Sequence, residues 1–181
     1  KEYPTGSASV LTLRNHIEKL TLKGMKPSLV TVDYADVMKS SKSYDSLRHE
    51  LKLIYTELRN LAVDLQIPIW TASQANRSAL DEDVIEASKV AESYQKVMTA
   101  DFVVSLSRKV EDKVANLARV HIIKNRFGVD GVTYPTDMNT DIGKIMVIDS
   151  NTKQGQIASE KMNNSEEYLR KMAKNRFDNL S

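Results

Sequence analysis

The sequence feature that most constrains the fold is a long amphipathic repeat between two short apolar runs. Over residues 45–66 a leucine or isoleucine recurs every three or four positions, which predicts a helix with one apolar face. Ser28–Asp33 precedes this helix and Ile67–Gln74 follows it, and apolar runs of this length are typical of parallel strands buried on both faces. The apolar positions of the repeat are Leu47, Leu51, Ile54, Leu58, Leu61 and Leu65.

The remaining elements extend this strand, helix, strand unit. Residues 8–23 have apolar side chains at helical spacing, and residues 88–98 are expected to form a short helix. Three further apolar runs lie close together, which suggests strands that turn antiparallel at one edge. We therefore expect an α/β fold, a mostly parallel sheet with antiparallel edge strands, flanked by helices. The further strands are expected at 101–106, 119–124 and 144–149.

Length and composition limit the classes of protein. A chain of 181 residues fits one domain with a single core, which we place at residues 1–150. Residues 151–181 are polar and are expected to form a tail with a terminal helix capped by Ser165. No apolar run approaches the roughly 20 residues of a membrane span, and the absence of cysteine excludes disulfides and thiolate metal sites. Because the net charge is only +2, any nucleic-acid contact must come from a local basic patch.

Two polar side chains, Asp33 and Gln74, follow the two predicted parallel strands. Ligands of open α/β sheets bind in the crevice outside the carboxyl ends of the strands, so both side chains are aimed at that crevice. An aspartate placed this way holds the Mg²⁺ of Mg·ATP in nucleotide hydrolases, and a neutral amide can bond a terminal phosphate without adding repulsive charge. The ordinary alternatives are an aspartate that caps a turn and a glutamine in a polar turn.

A pair of cations, Lys124 and Arg126, follows a later strand with Asn125 between them. Side chains at i and i+2 of a strand project to the same side. Facing a phosphate of a neighbouring subunit, the pair would offer a point charge and a planar fork to developing negative charge. A solvated basic turn is the ordinary alternative.

Taken in order, these residues carry a resemblance to a known family. Asp33 after one strand, Gln74 after the next and Lys124–Arg126 after a later one resemble the second half of DnaB-type replicative helicases, and in particular those of T-even phages. The resemblance covers about residues 1–150. It is supported by the stretches Lys1–Thr5, Val32–Tyr34, Leu58–Val63, Ile67–Trp70, Asn76–Ser78 and Thr99–Phe102.

The resemblance implies a partial RecA-like P-loop NTPase core that uses ATP and Mg²⁺. On it, Asp33 would be the Walker B aspartate for Mg²⁺, and Gln74 the sensor that couples the γ-phosphate to DNA-binding loops. Arg126 would be the arginine finger acting on the ATP of a neighbouring subunit, with Lys124 beside it.

The resemblance also implies partners: single-stranded DNA, further copies of the chain in a homohexamer, a primase and a helicase loader, all in the cytoplasm and away from any membrane. Glu92 and Ser93 fall where these helicases carry Arg-Glu-Ser-Gly in a central DNA loop, although Ala91 and Tyr94 replace its arginine and glycine. Arg77 and Lys89 are further candidates for DNA contact.

One departure from the family concerns the phosphates. No glycine-rich loop followed by Lys and Ser or Thr occurs in the chain, and the family's general-base glutamate lies upstream of the matched region. We therefore expect a C-terminal part of a helicase that is inactive by itself. Two alternatives stay open: a fragment of a RecA-like strand-exchange recombinase, and a non-catalytic RecA-like module that binds DNA or protein.

Overall fold

The strand, helix, strand unit is present in the structure, a computed structural model that describes residues 1–75, 84–85, 87, 94–109, 112–113 and 115–164. The chain divides into two compact units, the first with a parallel strand pair and its helices, the second with an antiparallel sheet. The elements of the first unit are α1 (Val10–Leu22), β1 (Val30–Val32), α2 (Leu47–Leu65), β2 (Ile69–Thr71) and α3 (Tyr94–Thr99).

The helices of the first unit begin and end where local chemistry requires it. α1 starts at a capping box in which the Ser9 hydroxyl accepts from the Thr12 backbone N–H and the Thr12 hydroxyl accepts from the Ser9 N–H. α2 is terminated by the residue after it, Gln66, which adopts the left-handed conformation that closes many helices. Both helices lie within the predicted ranges 8–23 and 45–66, so these two predictions are confirmed.

β1 and β2 pair in parallel, with Val30 opposite Ile69 and Val32 opposite Thr71. Residues of α1, α2 and the two strands together form the core of the unit. The expectation of strands buried on both faces is wrong, because Thr31 is exposed and its neighbour Trp70 is 49% exposed. The buried core residues are Val10, Ile17, Val30, Ala35, Leu51, Ile54, Tyr55, Leu58 and Leu61.

In the described part of the second unit, four strands pair antiparallel in the order of the chain. The strands expected at 101–106, 119–124 and 144–149 are present, and a further strand lies between the last two. The α/β fold class is confirmed; in the described part of the chain the antiparallel strands form a sheet of their own instead of edges on the parallel pair. The elements are β3 (Phe102–Ser107), β4 (Leu117–Asn125), β5 (Thr133–Asn139), β6 (Lys144–Val147) and α4 (Lys153–Asn163).

β5 is the strand that sequence patterning missed, because it contains Pro135 among polar residues. A proline lacks the N–H of the strand ladder and is usually found on edge strands. Here the Pro135 carbonyl accepts from the N–H of Ile148, one residue beyond the end of β6. The Pro135 nitrogen, which has no hydrogen, therefore faces β6 beyond the last residue of that strand. The regular ladder needs no donor at this position, so the proline is compatible with an inner strand.

α4 lies within the segment expected as a polar tail. Thr152 caps it by accepting from the Gly155 N–H, and Ala158 and Met162 pack against Leu117 of the antiparallel sheet. The terminal helix expected from Ser165, and residues 88–93 of the short helix expected before β3, lie outside the described residues.

Leu61→Ala tests the core of the first unit. Leu61 is 1% exposed, and its truncation is expected to lower the free energy of unfolding by about 2–5 kcal/mol because a cavity remains. Val63→Ala, in the same helix at a position 56% exposed, is expected to change it by less than about 0.5 kcal/mol. Urea unfolding followed by circular dichroism measures both, and equal effects would contradict this core.

Candidate functional site

Asp33 and Gln74 lie at the same edge of the parallel pair. β1 ends at Val32 and β2 at Thr71, and these two residues are opposite each other in the register. Asp33 follows β1 directly and Gln74 follows β2 after two residues, and both side chains are exposed. At one edge of the pair, the carboxyl ends of the two strands thus present a carboxylate and an amide to solvent.

The hydroxyl of Thr71 ties the turn after β1 to the end of β2. It donates to the Val32 carbonyl over 2.9 Å and accepts from the Ala35 N–H over 2.9 Å. Ala35 is fully buried, so this N–H has no access to water. Because the two bonds bracket Asp33 in the chain, Thr71 fixes the backbone on which the aspartate is carried.

Tyr34 connects the two candidate residues, and sequence reasoning gave it no role. The Gln74 Nε2 donates to the Tyr34 hydroxyl over 3.1 Å. Since Tyr34 is the next residue after Asp33, the amide of Gln74 is held beside the turn that carries the aspartate. Its sequence signals were its place next to Asp33 and the family-like stretch Val32–Tyr34 to which it belongs.

Behind this edge lies a polar cluster that we call the Asp36 cluster, formed by Asp36, Tyr55, Ser73 and Lys96. Asp36 accepts from the Tyr55 hydroxyl at Oδ1 over 2.8 Å and from Lys96 Nζ at Oδ2 over 2.8 Å. Ser73 Oγ is 3.2 Å from Asp36 Oδ2 and 3.2 Å from Lys96 Nζ. The side chain of Lys96 is 2% exposed and that of Asp36 16%, so the ion pair is largely shielded from water.

The Tyr55 hydroxyl is a permanent donor in this cluster. Burial raises the pKa of Tyr55 above its ordinary value, and the hydrogen bond and negative charge of Asp36 raise the pKa further. Lys96 also lies 5.5 Å from the centre of the Tyr55 ring, a cation–π distance. Tyr55 belongs to α2, so the cluster rests on the helix that forms the core.

Lys124 and Arg126 belong to the second unit. Lys124 is half-buried in β4, opposite Val103, and the register shifts between Val103 and Val104, as at a β-bulge. β4 ends at Asn125, so Arg126 lies exposed in the turn. Because Arg126 lies outside the strand, strand alternation does not set the side to which its side chain projects, and the expectation from their spacing stays a prediction.

The turn that carries Arg126 is organised by Asn125. Its side chain accepts from the Phe127 N–H over 3.0 Å and donates to the Val129 carbonyl over 3.1 Å. Such a side-chain to backbone pattern fixes a turn locally. The asparagine between the two cations thus shapes the loop that presents Arg126.

Comparison with known proteins decides the family. The sequence profile of the DnaB-like helicase C terminal domain matches residues 3–140 of the chain. The chain belongs to this family. It is 35% identical over 136 residues to the DnaB-like replicative helicase of Enterobacteria phage T4, an alignment that covers 71% of this chain and 28% of that protein.

Two solved structures share the fold of this DnaB-like chain. One, an ATPase domain, superimposes with a TM-score of 0.69 at 22% identity and covers 78% of this chain and 52% of that one. The other, a DnaB-like replicative helicase whose structure was determined with its primase interactions, also gives a TM-score of 0.69 at 22% identity, over 78% of this chain and 35% of that one. Both support a RecA-like fold for the chain.

The DnaB-like chain spans less than a third of the length of the T4 relative it matches, 28%.

Of its sequence candidates, Arg77, Lys89, Glu92 and Ser93 lie outside the described residues. None of the helices in the described part is long and apolar enough to cross a membrane.

The donor set of this DnaB-like site fits a nucleotide-bound Mg²⁺ better than a metal held by protein alone. Among the described residues no group of three or more His, Asp or Glu side chains is placed to hold a metal ion. Mg²⁺ in nucleotide sites usually takes one or two carboxylates and completes its shell with phosphate oxygens and water. A single exposed carboxylate, Asp33, beside the amide of Gln74 matches that requirement.

Thr71→Val tests the connection between the two strand ends. Valine keeps the shape but removes both hydrogen bonds and leaves the Ala35 N–H buried without an acceptor, so we expect a loss of about 1–3 kcal/mol in unfolding free energy. Thr71→Ser retains the hydroxyl and is the matched control. Chemical denaturation measures both variants, and a valine variant as stable as the serine variant would contradict this role.

Proposed function

We propose that the protein containing this chain is an ATP-dependent replicative DNA helicase that unwinds duplex DNA by translocating on single strands. The chain supplies the part of the ATPase domain that follows the phosphate loop. The observation that carries the proposal is the meeting of Asp33 and Gln74 at the carboxyl ends of a parallel pair, in a chain of the DnaB-like family.

Asp33 and Gln74 form the nucleotide side of the proposed site. The Asp33 carboxylate holds the Mg²⁺ that accompanies ATP, and the exposed amide of Gln74 bonds the terminal phosphate. Bound Mg·ATP supplies the phosphoanhydride bond whose hydrolysis drives translocation. Support for this arrangement is the fixed backbone around Asp33 and the Tyr34 hydroxyl that holds the amide beside it.

Arg126 and Lys124 form the side that acts on a neighbouring subunit. We propose a homohexameric ring in which the Arg126 guanidinium reaches the ATP bound by the next copy, with Lys124 beside it. The turn organised by Asn125 supports a finger role, because it holds Arg126 exposed at the end of β4.

DNA and protein partners follow from the same proposal. Single-stranded DNA passes through the ring and contacts the stretch that contains Arg77, Lys89, Glu92 and Ser93. A primase is a partner on the ground that a DnaB-like structural neighbour was determined with its primase interactions. A helicase loader completes the set, and the site of action is the cytoplasm.

The residues of this chain do not include the phosphate cradle. Backbone amides and the lysine of a glycine-rich loop hold the β- and γ-phosphates in P-loop NTPases, and no such motif occurs in the 181 residues. We therefore propose that the isolated chain does not hydrolyse ATP, although the whole protein does.

Substitutions on the two sides of the site test the proposal in the whole protein. Asp33→Asn keeps the side-chain shape but removes the charge, so hydrolysis should fall by roughly 100-fold or more together with Mg²⁺-dependent nucleotide binding. Arg126→Ala should lower DNA-stimulated hydrolysis by about 1,000-fold while nucleotide binding stays nearly intact. Steady-state hydrolysis and binding of a fluorescent ATP analogue measure the two effects.

Mixing the two variants tests the assignment to different subunits. A mixed ring contains interfaces at which an intact Asp33 faces an intact Arg126, so part of the activity should return. Asp45→Asn and Arg48→Ala change exposed residues to which the proposal gives no role, and they serve as controls. No recovery in the mixture would contradict the action of Arg126 on a neighbour, and unchanged turnover with Asp33→Asn would refute the nucleotide site.

A further inference from the structure

We propose that Asp36 and Lys96 are positioning residues that make ATP hydrolysis respond to single-stranded DNA. The inference rests on the proposed function and adds to it the route by which the DNA-contacting stretch reaches the nucleotide side. That route is the Asp36 cluster, which joins the two strand ends to α3.

Asp36 lies close in the chain to the proposed metal aspartate. It sits in a single turn of 3-10 helix, Ala35–Val37, that follows Asp33 and Tyr34. The same turn is fixed to β2 through the bond from the Ala35 N–H to Thr71. Asp36 therefore belongs to the segment that sets the backbone next to Asp33, and its position bears on that of the aspartate.

Lys96 holds both strand ends at once. Its Nζ is 2.8 Å from Asp36 Oδ2 and 3.2 Å from Ser73 Oγ, and Ser73 directly precedes Gln74. Lys96 is carried by α3, which packs against α2. One ammonium on one helix thus contacts the turn after β1 and the turn after β2, the two segments that bear Asp33 and Gln74.

The contact of Lys96 with Asp36 and Ser73 matters because of the chain segment that lies between Ser73 and Lys96. Residues 75–93 connect Gln74, in the turn after β2, with Tyr94 at the start of α3. That stretch contains Arg77, Lys89, Glu92 and Ser93, the residues proposed to contact DNA. Two members of the Asp36 cluster flank the stretch in the chain: Ser73 lies shortly before it and Lys96 shortly after it. A DNA-dependent change in the stretch is therefore transmitted through the cluster to the strand ends.

The low exposure of Lys96 and Asp36 to water explains why an ion pair can hold α3 in place. A lysine that is 2% exposed is unfavourable without a partner of opposite charge, whereas a well-packed apolar pair at such a site is often as stable as the ions. The ion pair therefore contributes more to holding α3 in one position relative to the strand ends than to the free energy of unfolding. Tyr55 of α2 holds the other carboxylate oxygen and anchors that position to the core.

Three variants of the whole protein separate positioning from stability: Lys96→Met, Asp36→Asn and the double variant. Each single variant leaves a shielded group without its partner, so its unfolding temperature should fall. The double variant removes both charges and should regain most of that loss. Stimulation of hydrolysis by single-stranded DNA should nevertheless stay about 5-fold or more below that of the unaltered protein in all three, since a coupling of this kind is typically worth a factor of about 5 or more.

A control variant and a second measurement distinguish failure of this inference from failure of the proposed function. Lys52→Met changes an exposed lysine of α2 and should alter neither stability nor stimulation. A stable double variant with full stimulation would overturn the inference and leave the proposed function intact, whereas an unaltered protein without DNA-stimulated hydrolysis would remove the proposed function itself. Hydrogen exchange of residues 94–100 in the unaltered protein should change when Mg²⁺ and a slowly hydrolysed ATP analogue bind, and unchanged exchange would also overturn the inference.

Discussion

The parallel pairing of β1 with β2 is the constraint on which the rest of the first unit depends. Two parallel neighbours need a crossover connection, and α2 is the helix of that connection, with its apolar face on Val30, Val32 and Ile69. Because both strands run the same way, their carboxyl ends meet at one edge, and the residues that follow them are brought together. Asp33 and Gln74 are neighbours for this reason, although they are far apart in the sequence.

Strands as short as β1 and β2 have few ladder bonds, so side chains hold their ends in register. Thr71 bonds to the backbone on both sides of Asp33, Tyr34 accepts from Gln74, and the Asp36 cluster lies behind them. These contacts extend the order of the sheet beyond its last paired residues. The edge is thus a preformed surface.

Elements with a regular apolar periodicity could be predicted from the sequence, whereas elements without such a pattern could not. The repeat of α2 and the runs that became β1 and β2 follow from spacing alone. β5 escaped because Pro135 and its polar neighbours do not look like an inner strand, and α4 because its sequence is mostly polar.

The same contrast divides the site. Asp33 and Gln74 stand at strand ends, where position alone suggests a role, so they were found and remain candidates. Asp36 and Lys96 are ordinary charged residues, distant in the sequence, whose meeting depends on how α3 packs. A structure of the whole protein with Mg²⁺ and a slowly hydrolysed ATP analogue is the most direct test. The account predicts Mg²⁺ coordinated by Asp33, at about 2.0–2.1 Å or through one water, with Gln74 at the terminal phosphate; a nucleotide bound away from this edge would contradict it.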